Sequence, residues 1–480
     1  MDIKVYPGKL KGTVQVPPSK SMAHRALICA SLAEGRSVVR GISESKDMEA
    51  TIGCMTALGA KIRRIGDGIA VAVDGISGKN SGAVRRDGKS GEFTSTEEET
   101  EELRGEAGRG GAETVSGQCE DPVSPVSPVV LDCNESGSTF RFVLPIAAAL
   151  GKDAAFEGRG KLPQRPMTPL AEEMKKNGVT FLPDGRDFLP FEICGRLRPG
   201  VYELPGNVSS QYFSGLMFAL PLLKGDSEIR VKGKMESVGY IALTQQMLSD
   251  FGVRVEETEY GFRVPGNQRY QATDISVEGD YSQAAFWLAA AACGSELKIT
   301  GLRSDSVQGD REAANIIERF GAEVIREYPD LIVRAPEKYG EGSGLGLKAL
   351  EADSGNIPDV IPVLSVAAAC AEGTSRFYNA SRLRIKECDR LSAMADCLTR
   401  LGVTAEEKED ELTVTGGRRR GGCRVSGYND HRIVMSMAVA ALSCEEPVVI
   451  SEAEAVQKSY PDFFDEFRRL GGRADVISDR

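Results

Sequence analysis

A helix closed by a glycine and followed by a strand recurs six times along this chain, and no other sequence feature limits its fold as tightly. The glycines are Gly59 (TALGAKI), Gly178 (KKNGVTF), Gly252 (SDFGVRV), Gly321 (ERFGAEV), Gly402 (TRLGVTA) and Gly471 (RRLGGRA). Glycine just past a helix enters the left-handed conformation without steric cost, which makes it a common helix stop. The intervals are 119, 74, 69, 81 and 69 residues. All five approach 70 if the first carries an insertion of about 45 residues. Residues 85–121 supply one. They hold eleven acids, five bases and almost nothing apolar, and carry −6 of a net charge of −11. Such a stretch buries too little surface to offset its chain entropy, so a solvated, disordered insertion is expected there.

A second marker repeats in step. Ala-rich helices are predicted at 18–33, 135–150, 208–223, 280–292, 356–371 and 429–443, each opened by small or polar residues. The openers Ser136, Ser209 and Ser282 are spaced 73 and 73. These helices are apolar almost all round, so each belongs inside its unit. β-branched stretches such as ELKIT (296–300) and PVVIS (447–451) read as strands between them. Each unit of about 70 residues therefore holds two helices and several strands. Six such units exceed one core, and the expectation is an α/β fold of two domains with three units each. A buried helix that starts with Ser, Gly or Asn presents free N–H groups and a partial positive charge. Six such ends aimed at one cleft would favour a highly anionic ligand.

Charge and cysteine usage exclude other classes. A net charge of −11 and a pI near 5.1 speak against nucleic acid or an anionic membrane as main partner. Apolar runs such as 142–150 are too short to span a bilayer, and MDIKVYPGKLKG reads as strand and turn rather than a secretory signal. A monomer in the cytoplasm is expected. The eleven cysteines form no CxxC pair, and several (Cys29, Cys293, Cys370, Cys444) sit in apolar segments, as buried free thiols do. With only His24 and His431 as histidines, no metal centre is expected. His24 reads as a helix-mouth histidine bonded to backbone, and Arg418–Arg420, between glycine pairs, as a solvated hairpin turn.

The chemistry gathers at the helix openers. In PPSKSMAHR (17–25), Ser19 is placed to cap a helix starting near Lys20, with Ser21 and Arg25 on one face above its mouth. A lysine, a hydroxyl and a guanidinium there form a clamp for phosphate or carboxylate. ESGSTFR (135–141) sets Gly137, Ser138 and Arg141 at a second helix start, and Ser209, Ser210 and Gln211 open a third. RLRIKECDR (382–390) packs Arg382, Arg384, Lys386 and Arg390 around Glu387 and Asp389, and Arg432 follows His431 at the last opener. An acidic protein that concentrates bases at helix mouths focuses positive potential locally.

PPSKSxxxR, SSQ, NIPD (356–359), RIKExDR, NDHR (429–432) and KSYPDFF (458–464) stand in one collinear series, and in order and spacing the chain resembles the EPSP synthase family. The resemblance runs to about residue 465 and leaves only the acidic insertion unmatched. It implies two domains of three βαβαββ units, 1–19 with 279–480 and 20–278, with chain crossings near 15–20 and 276–281. It implies transfer of the enolpyruvyl group of phosphoenolpyruvate to the 5-hydroxyl of shikimate 3-phosphate, with no metal or organic cofactor. Carried over by position, Lys20, Ser21, Arg25, Ser209, Ser210, Gln211, Ser237, Asp359 and Lys386 are expected to contact shikimate 3-phosphate, with Tyr240 close by. Lys20, Gly137, Arg165, Gln211, Arg390, Arg432 and Lys458 are expected to hold phosphoenolpyruvate. Asp359 would take the hydroxyl proton and Glu387 would protonate the methylene carbon, with Lys20 as a third catalytic group. Arg382 stands where the family often has Asn, and ESGST replaces a more usual NAGT or NSGT. The sister enolpyruvyl transferase acting on UDP-N-acetylglucosamine has Asn where Ser21 stands and a cysteine where Gly160 stands. A non-catalytic binder would not need Asp359, Glu387 and Lys20 together in an anion site.

Overall fold

The helix stops and starts of the sequence resolve into six helix pairs: α1 (Lys20–Leu32) with α2 (Lys46–Ala57), α3 (Gly137–Ala149) with α4 (Thr168–Lys176), α5 (Ser210–Ala219) with α6 (Val238–Asp250), α7 (Tyr281–Ala292) with α8 (Glu312–Arg319), α9 (Ile361–Ala369) with α10 (Arg390–Arg400), and α11 (His431–Leu442) with α12 (Phe463–Arg469). The computed structural model describes residues 1–66, 70–76, 127–183, 185, 188–336 and 345–478; the insertion expected at 85–121 lies outside them. Every element named belongs to one compact unit, residues 1–77 with 128–480.

The two helices of a pair play different parts. Every residue of α7 and of α11 is buried, as an all-apolar surface requires. The second helix is amphipathic: in α10, Leu391, Met394, Cys397 and Leu398 turn inward at helical spacing. Each second helix is followed by a glycine with positive φ, from 74° at Gly252 to 118° at Gly59.

One unit shows the pattern of all. Val129–Asp132 leads into α3, Ala154–Glu157 into α4, and Val179–Leu182 and Phe191–Gly195 complete the sheet. The first two strands pair parallel, and the fourth runs antiparallel to both the second and the third. The same sheet arrangement, with the second strand between the first and the fourth and the third at the edge, recurs in all six four-stranded sheets of the described residues.

Three units are completed from a distance. Asp2–Val5 pairs with Val448–Ile450 and Ala474–Ser478. Lys11–Gln15 lies parallel to Glu296–Thr300, and Ile275–Ser276 lies parallel to Arg36–Arg40. The chain thus leaves one group of sheets after Gln15 and rejoins it after Ser276. The two crossings run side by side: Ser19 N–H donates to the Glu278 carbonyl at 2.7 Å and Asp280 N–H to the Pro17 carbonyl at 2.9 Å. Buried apolar side chains accordingly form two cores, one from residues 3–16 and 281–474, the other from 22–73 and 131–270.

Two local readings need correction. Glu411–Thr415 and Arg424–Val425 belong to different sheets, so Arg418–Arg420 links two units and is no hairpin turn. Arg418 pairs with Glu445, while Arg419 folds inward onto Ser443 and the Ala369 carbonyl. Of the ten described cysteines, all free, Cys29, Cys370 and Cys444 are buried, but Cys293 at the end of α7 is partly exposed. No described helix is long and apolar enough to cross a membrane.

Candidate active site

The N-terminal ends of α1, α3, α5, α7, α9 and α11 all contribute to one cavity, which takes residues from both cores. Lys20 and Ser21 come from the first, Gly137 and Ser138 from the second, and Ser209, Ser210 and Gln211 from the third. Asp280 and Ser282 come from the fourth, Asp359 precedes the fifth, and His431 and Arg432 open the sixth. The caps explain why the chain turns into helix at these points. Ser19, Ser136, Ser209, Asp280 and Asp430 each accept a hydrogen bond from an N–H of the first turn. The α9 start has no such cap but has Pro362 in its first turn, where a missing N–H costs nothing.

Eight cations line the cavity (Lys20, Arg25, Arg141, Arg165, Arg382, Lys386, Arg390, Arg432) against four carboxylates (Asp47, Asp280, Asp359, Glu387). Of the residues expected from the sequence, Lys20, Ser21, Arg25, Gly137, Arg165, Ser209, Ser210, Gln211, Asp359, Lys386, Glu387, Arg390 and Arg432 are on its wall. Ser237 and Lys458 are not. Ser237 is fully buried at the start of α6, in a left-handed conformation, and takes a hydrogen bond from the Arg382 guanidinium. The Lys458 ammonium donates to Glu135 and to the Asn429 carbonyl, both at 2.7 Å. Glu135, in the departure ESGST, thereby ties the start of α3 to the other core.

Asp359 and Glu387 are joined through one guanidinium. Arg390, nearly inaccessible, donates to Asp359 at 2.9 Å, to Glu387 at 2.7 Å and to Asp430 at 2.8 Å. The Lys386 ammonium adds a second bond to Asp359 at 3.0 Å, and Arg432 stands 3.9 Å from it. Burial pushes both carboxyls up, but the cations outweigh it: Lys386, Arg432 and Arg390 hold Asp359 well below the usual carboxylate range. Arg390 and Arg165, with smaller help from His431 and Lys386, do the same for Glu387. Both are ionised in this state.

On the other wall Arg25 and Arg141 rest on neutral oxygens, while Lys20 pairs with Asp47. Arg25 donates to Thr244 Oγ1 at 2.8 Å, the Ser21 carbonyl at 2.7 Å, the Tyr240 carbonyl at 3.0 Å and Ser214 Oγ at 3.4 Å. Arg141 donates to Gln211 Oε1 at 2.8 Å and to the Pro166 carbonyl at 2.9 Å, and Gln211 in turn donates to Ser138 at 2.9 Å. Burial brings both guanidinium groups down to about 10, still charged at neutral pH. A Cβ on Gly137 would stand 2.5 Å from Arg165 Nη1 and 2.8 Å from Arg141 Nη1, so glycine is what lets the two converge on the α3 start.

Arg141, Asp47 and Asp310 were not among the expected site residues. Arg141 stood in the ESGSTFR motif with no role; Asp47 pairs with Lys20 at 2.8 Å, and only the folded chain brings it there. Asp310, in a turn before α8, reaches the Tyr240 hydroxyl, which also meets Asp359. His24 is off the cavity wall and bonds Thr51 Oγ1 at 2.7 Å, a side-chain hydroxyl in place of the backbone partner expected. Burial and the neighbouring Lys20 and Arg25 push it well below the usual histidine range, leaving it neutral.

Comparison with known proteins places this geometry. The model of the EPSP synthase (3-phosphoshikimate 1-carboxyvinyltransferase) family matches residues 5–93 and 101–467. The unmatched internal stretch is therefore 94–100, shorter than the 85–121 that sequence reading set apart. The chain is 40% identical over 475 residues to 3-phosphoshikimate 1-carboxyvinyltransferase of Clostridioides difficile (strain 630), covering 98% of each chain. It is 41% identical over 477 residues to that of Clostridium beijerinckii (strain ATCC 51743 / NCIMB 8052), covering 99% of this chain and 98% of the relative. In fold it matches the EPSP synthase of Acinetobacter baumannii, with a TM-score of 0.74 at 24% identity and full coverage of both chains. The enolpyruvyl transferase NikO of Streptomyces tendae aligns with a TM-score of 0.73 at 15% identity, over 100% of this chain and 99% of that one. Six repeat units, a cationic cavity at their helix mouths and this likeness along nearly the whole chain lead to one assignment: the chain belongs to the EPSP synthase family.

Proposed function

We infer that this protein moves the enolpyruvyl group of phosphoenolpyruvate to the 5-hydroxyl of shikimate 3-phosphate, giving 5-enolpyruvylshikimate 3-phosphate and phosphate. The observation that carries this, beside family membership, is the meeting of six helix N-termini at a cavity where eight cations face four carboxylates. The two substrates together carry about −5 to −6 at neutral pH, which such an excess of positive charge offsets.

On this reading Ser21, Arg25, Ser209, Ser210, Lys386 and, through Arg382, Ser237 serve shikimate 3-phosphate. Arg165, Arg390, Arg432 and the Gly137 backbone serve phosphoenolpyruvate. Lys20 and Gln211 serve both, and Lys458 joins once it parts from Glu135. Asp359 accepts the 5-hydroxyl proton as that oxygen bonds to C2 of phosphoenolpyruvate, and Glu387 delivers a proton to C3. Elimination reverses the second transfer: the C2–O bond to phosphate breaks as the departing oxygen takes the proton held by Asp359, Glu387 recovers a proton from C3, and the vinyl ether forms. The ionised state of Glu387 fits the cycle once substrates bind. Anions that draw Arg390 and Arg165 to themselves leave Glu387 with its burial, which raises its affinity for a proton. The cores divide, on the same reading, into domains 1–19 with 279–480 and 20–278, closing on the substrates about the paired crossings.

The test is a turnover assay. Phosphate release should require both phosphoenolpyruvate and shikimate 3-phosphate; release with phosphoenolpyruvate alone, or none with both, would sink the assignment.

A further inference from the structure

The Tyr240 hydroxyl stands between two carboxyl groups, and a count of protons shows that they differ. Its oxygen is 3.0 Å from Asp359 Oδ2 and 3.1 Å from Asp310 Oδ2. A phenol has one proton and donates one hydrogen bond, so two ionised carboxylates would leave one of these contacts lone pair against lone pair. Tyr240 keeps its proton, since burial and then the two acids push it well above the usual tyrosine range. Asp359 is the partner that Lys386, Arg390 and Arg432 keep ionised. The missing proton belongs on Asp310.

The surroundings of Asp310 agree. It is buried at 5% exposure, and its Oδ1 has no hydrogen-bond partner among the described residues, a state tolerable for a neutral acid and costly for a carboxylate. Burial first, then the charges of Asp359 and Asp280, raise it to about 7, against the opposing pull of Arg432 and of the Tyr240 hydrogen bond.

We propose that Asp310 keeps a proton up to neutral pH and that its O–H then hydrogen-bonds to the Tyr240 oxygen, which turns the Tyr240 O–H onto Asp359 and makes Asp310 a positioning residue for the base. No bond changes partners in the resting chain: Asp310 O–H donates to Tyr240, and Tyr240 O–H donates to Asp359. The neutral acid also spares the cavity one more negative charge beside anionic substrates. As pH rises through the Asp310 transition the proton is lost, Tyr240 is contested by two anions, and Asp359 loses Tyr240 as a fixed donor beside Lys386 and Arg390. This rests on the reading that Asp359 takes the 5-hydroxyl proton.

Two measurements on the full chain test it. The first uses protein labelled with carbon-13 at aspartate carboxyls and needs no substrate. One aspartate should titrate near neutral pH, its signal should vanish in Asp310→Asn, and its midpoint should fall in Asp359→Asn, which removes the neighbouring charge. Infrared absorption of unlabelled wild-type protein should show a protonated carboxyl at about pH 6 that is gone at about pH 8, whether or not a variant folds. The second is kcat/KM, which reports the groups of the free enzyme. From about pH 6 to pH 8 the wild-type value should fall about tenfold, as for loss of one essential proton, whereas the Asp310→Asn value should keep a ratio near one. An Asp310 that titrates with ordinary carboxylates, or an unchanged pH profile in Asp310→Asn, overturns the proposal while leaving the transfer reaction standing. Absence of turnover sinks the functional assignment, and the titration then still decides whether Asp310 carries the proton.

Discussion

The two walls of the cavity hold their cations in different ways. On the wall built from residues 20–278, Arg25 and Arg141 are fixed by carbonyls, hydroxyls and an amide, none of which cancels a charge. On the wall built from residues 280–432, Arg390 and Lys386 are bonded to carboxylates. A guanidinium held by neutral oxygens keeps its full charge for a ligand; one held by carboxylates spends that charge on setting their protonation state. On the functional reading, cations held by neutral oxygens keep their charge for anions, while Arg390 and Lys386, besides serving the substrates, set the protonation of Asp359 and Glu387. The division has exceptions: on the first wall Lys20 pairs with Asp47 and Arg165 stands 3.8 Å from Glu387, and on the second Arg432 rests on the Ser282 carbonyl and hydroxyl and Arg382 on Ser237.

The hardest test of this division is removal of proton transfer from the second wall. Asp359→Asn and Glu387→Gln keep size and hydrogen bonding but cannot cycle a proton. Turnover should fall by about 10²–10⁴-fold in each, with apparent Michaelis constants changed far less. Steady-state kinetics with each substrate varied in turn would read this out. Carboxamide variants that turn over near the wild-type rate would end the idea that Asp359 and Glu387 handle protons.

The first wall should respond in affinity. Arg165→Ala should raise the Michaelis constant for phosphoenolpyruvate by about ten- to a hundredfold, as expected for loss of a charge-assisted contact worth about 1.5–3 kcal/mol. Arg25→Ala should do the same for shikimate 3-phosphate, but at a further cost. Its guanidinium makes four hydrogen bonds within the protein and lies 5.0 Å from the Phe142 ring centre. Thermal unfolding should therefore shift downward in Arg25→Ala and hardly at all in Arg165→Ala. Equal melting temperatures would show that the Arg25 contacts are incidental. A gentler probe is Gly137→Ala. The new methyl group meets the far ends of two flexible arginines, so the fold should survive while Arg165 and Arg141 are pushed aside. A cost of about 1 kcal/mol, severalfold in the Michaelis constant for phosphoenolpyruvate, should appear with melting unchanged. An unchanged constant would mean the arginines do not need to meet at that helix start.

How much of this was legible beforehand follows the range of the interactions. Helix stops such as Gly252 and caps such as Ser19 act over three or four residues, so local spacing revealed them. The pairing of Lys11–Gln15 with Glu296–Thr300 is a contact between distant segments of unremarkable strand composition, and no local signal announces it. At the site, polar and charged residues at a helix mouth are a local pattern that singled out Lys20, Ser21 and Arg390, whereas Arg165 and Asp359 came only from the family resemblance; all five are on the cavity wall. Lys458 carried the right motif, yet its ammonium is occupied by Glu135, a pairing set by how the two cores meet. Asp310 had no motif at all. Its role arises from burial and from a tyrosine 70 residues away, both of which exist only in the folded chain.

Glu135 offers the smallest and most discriminating test, because it joins the start of α3 to the other core. Its carboxylate holds the nearly buried Lys458 ammonium and also accepts a 3.3 Å hydrogen bond from Asn429, while its own side chain is 27% exposed. Partly exposed pairs of this kind contribute up to about 1 kcal/mol, so the expected change is no more than about fivefold. The sign is what matters. If Lys458 must part from Glu135 to meet phosphoenolpyruvate, the carboxylate competes with the substrate, and Glu135→Gln should lower the Michaelis constant. If the pair instead holds the two cores together in the closed arrangement, the same change should raise the constant for both substrates. Salt separates the cases further: screening weakens the pair in the wild type, so any gain in Glu135→Gln should shrink as ionic strength rises. Because Lys458 carries a phosphoenolpyruvate role on the functional reading, we expect the first outcome. A raised constant for both substrates would take Lys458 out of the phosphoenolpyruvate set and make it a strut between the cores.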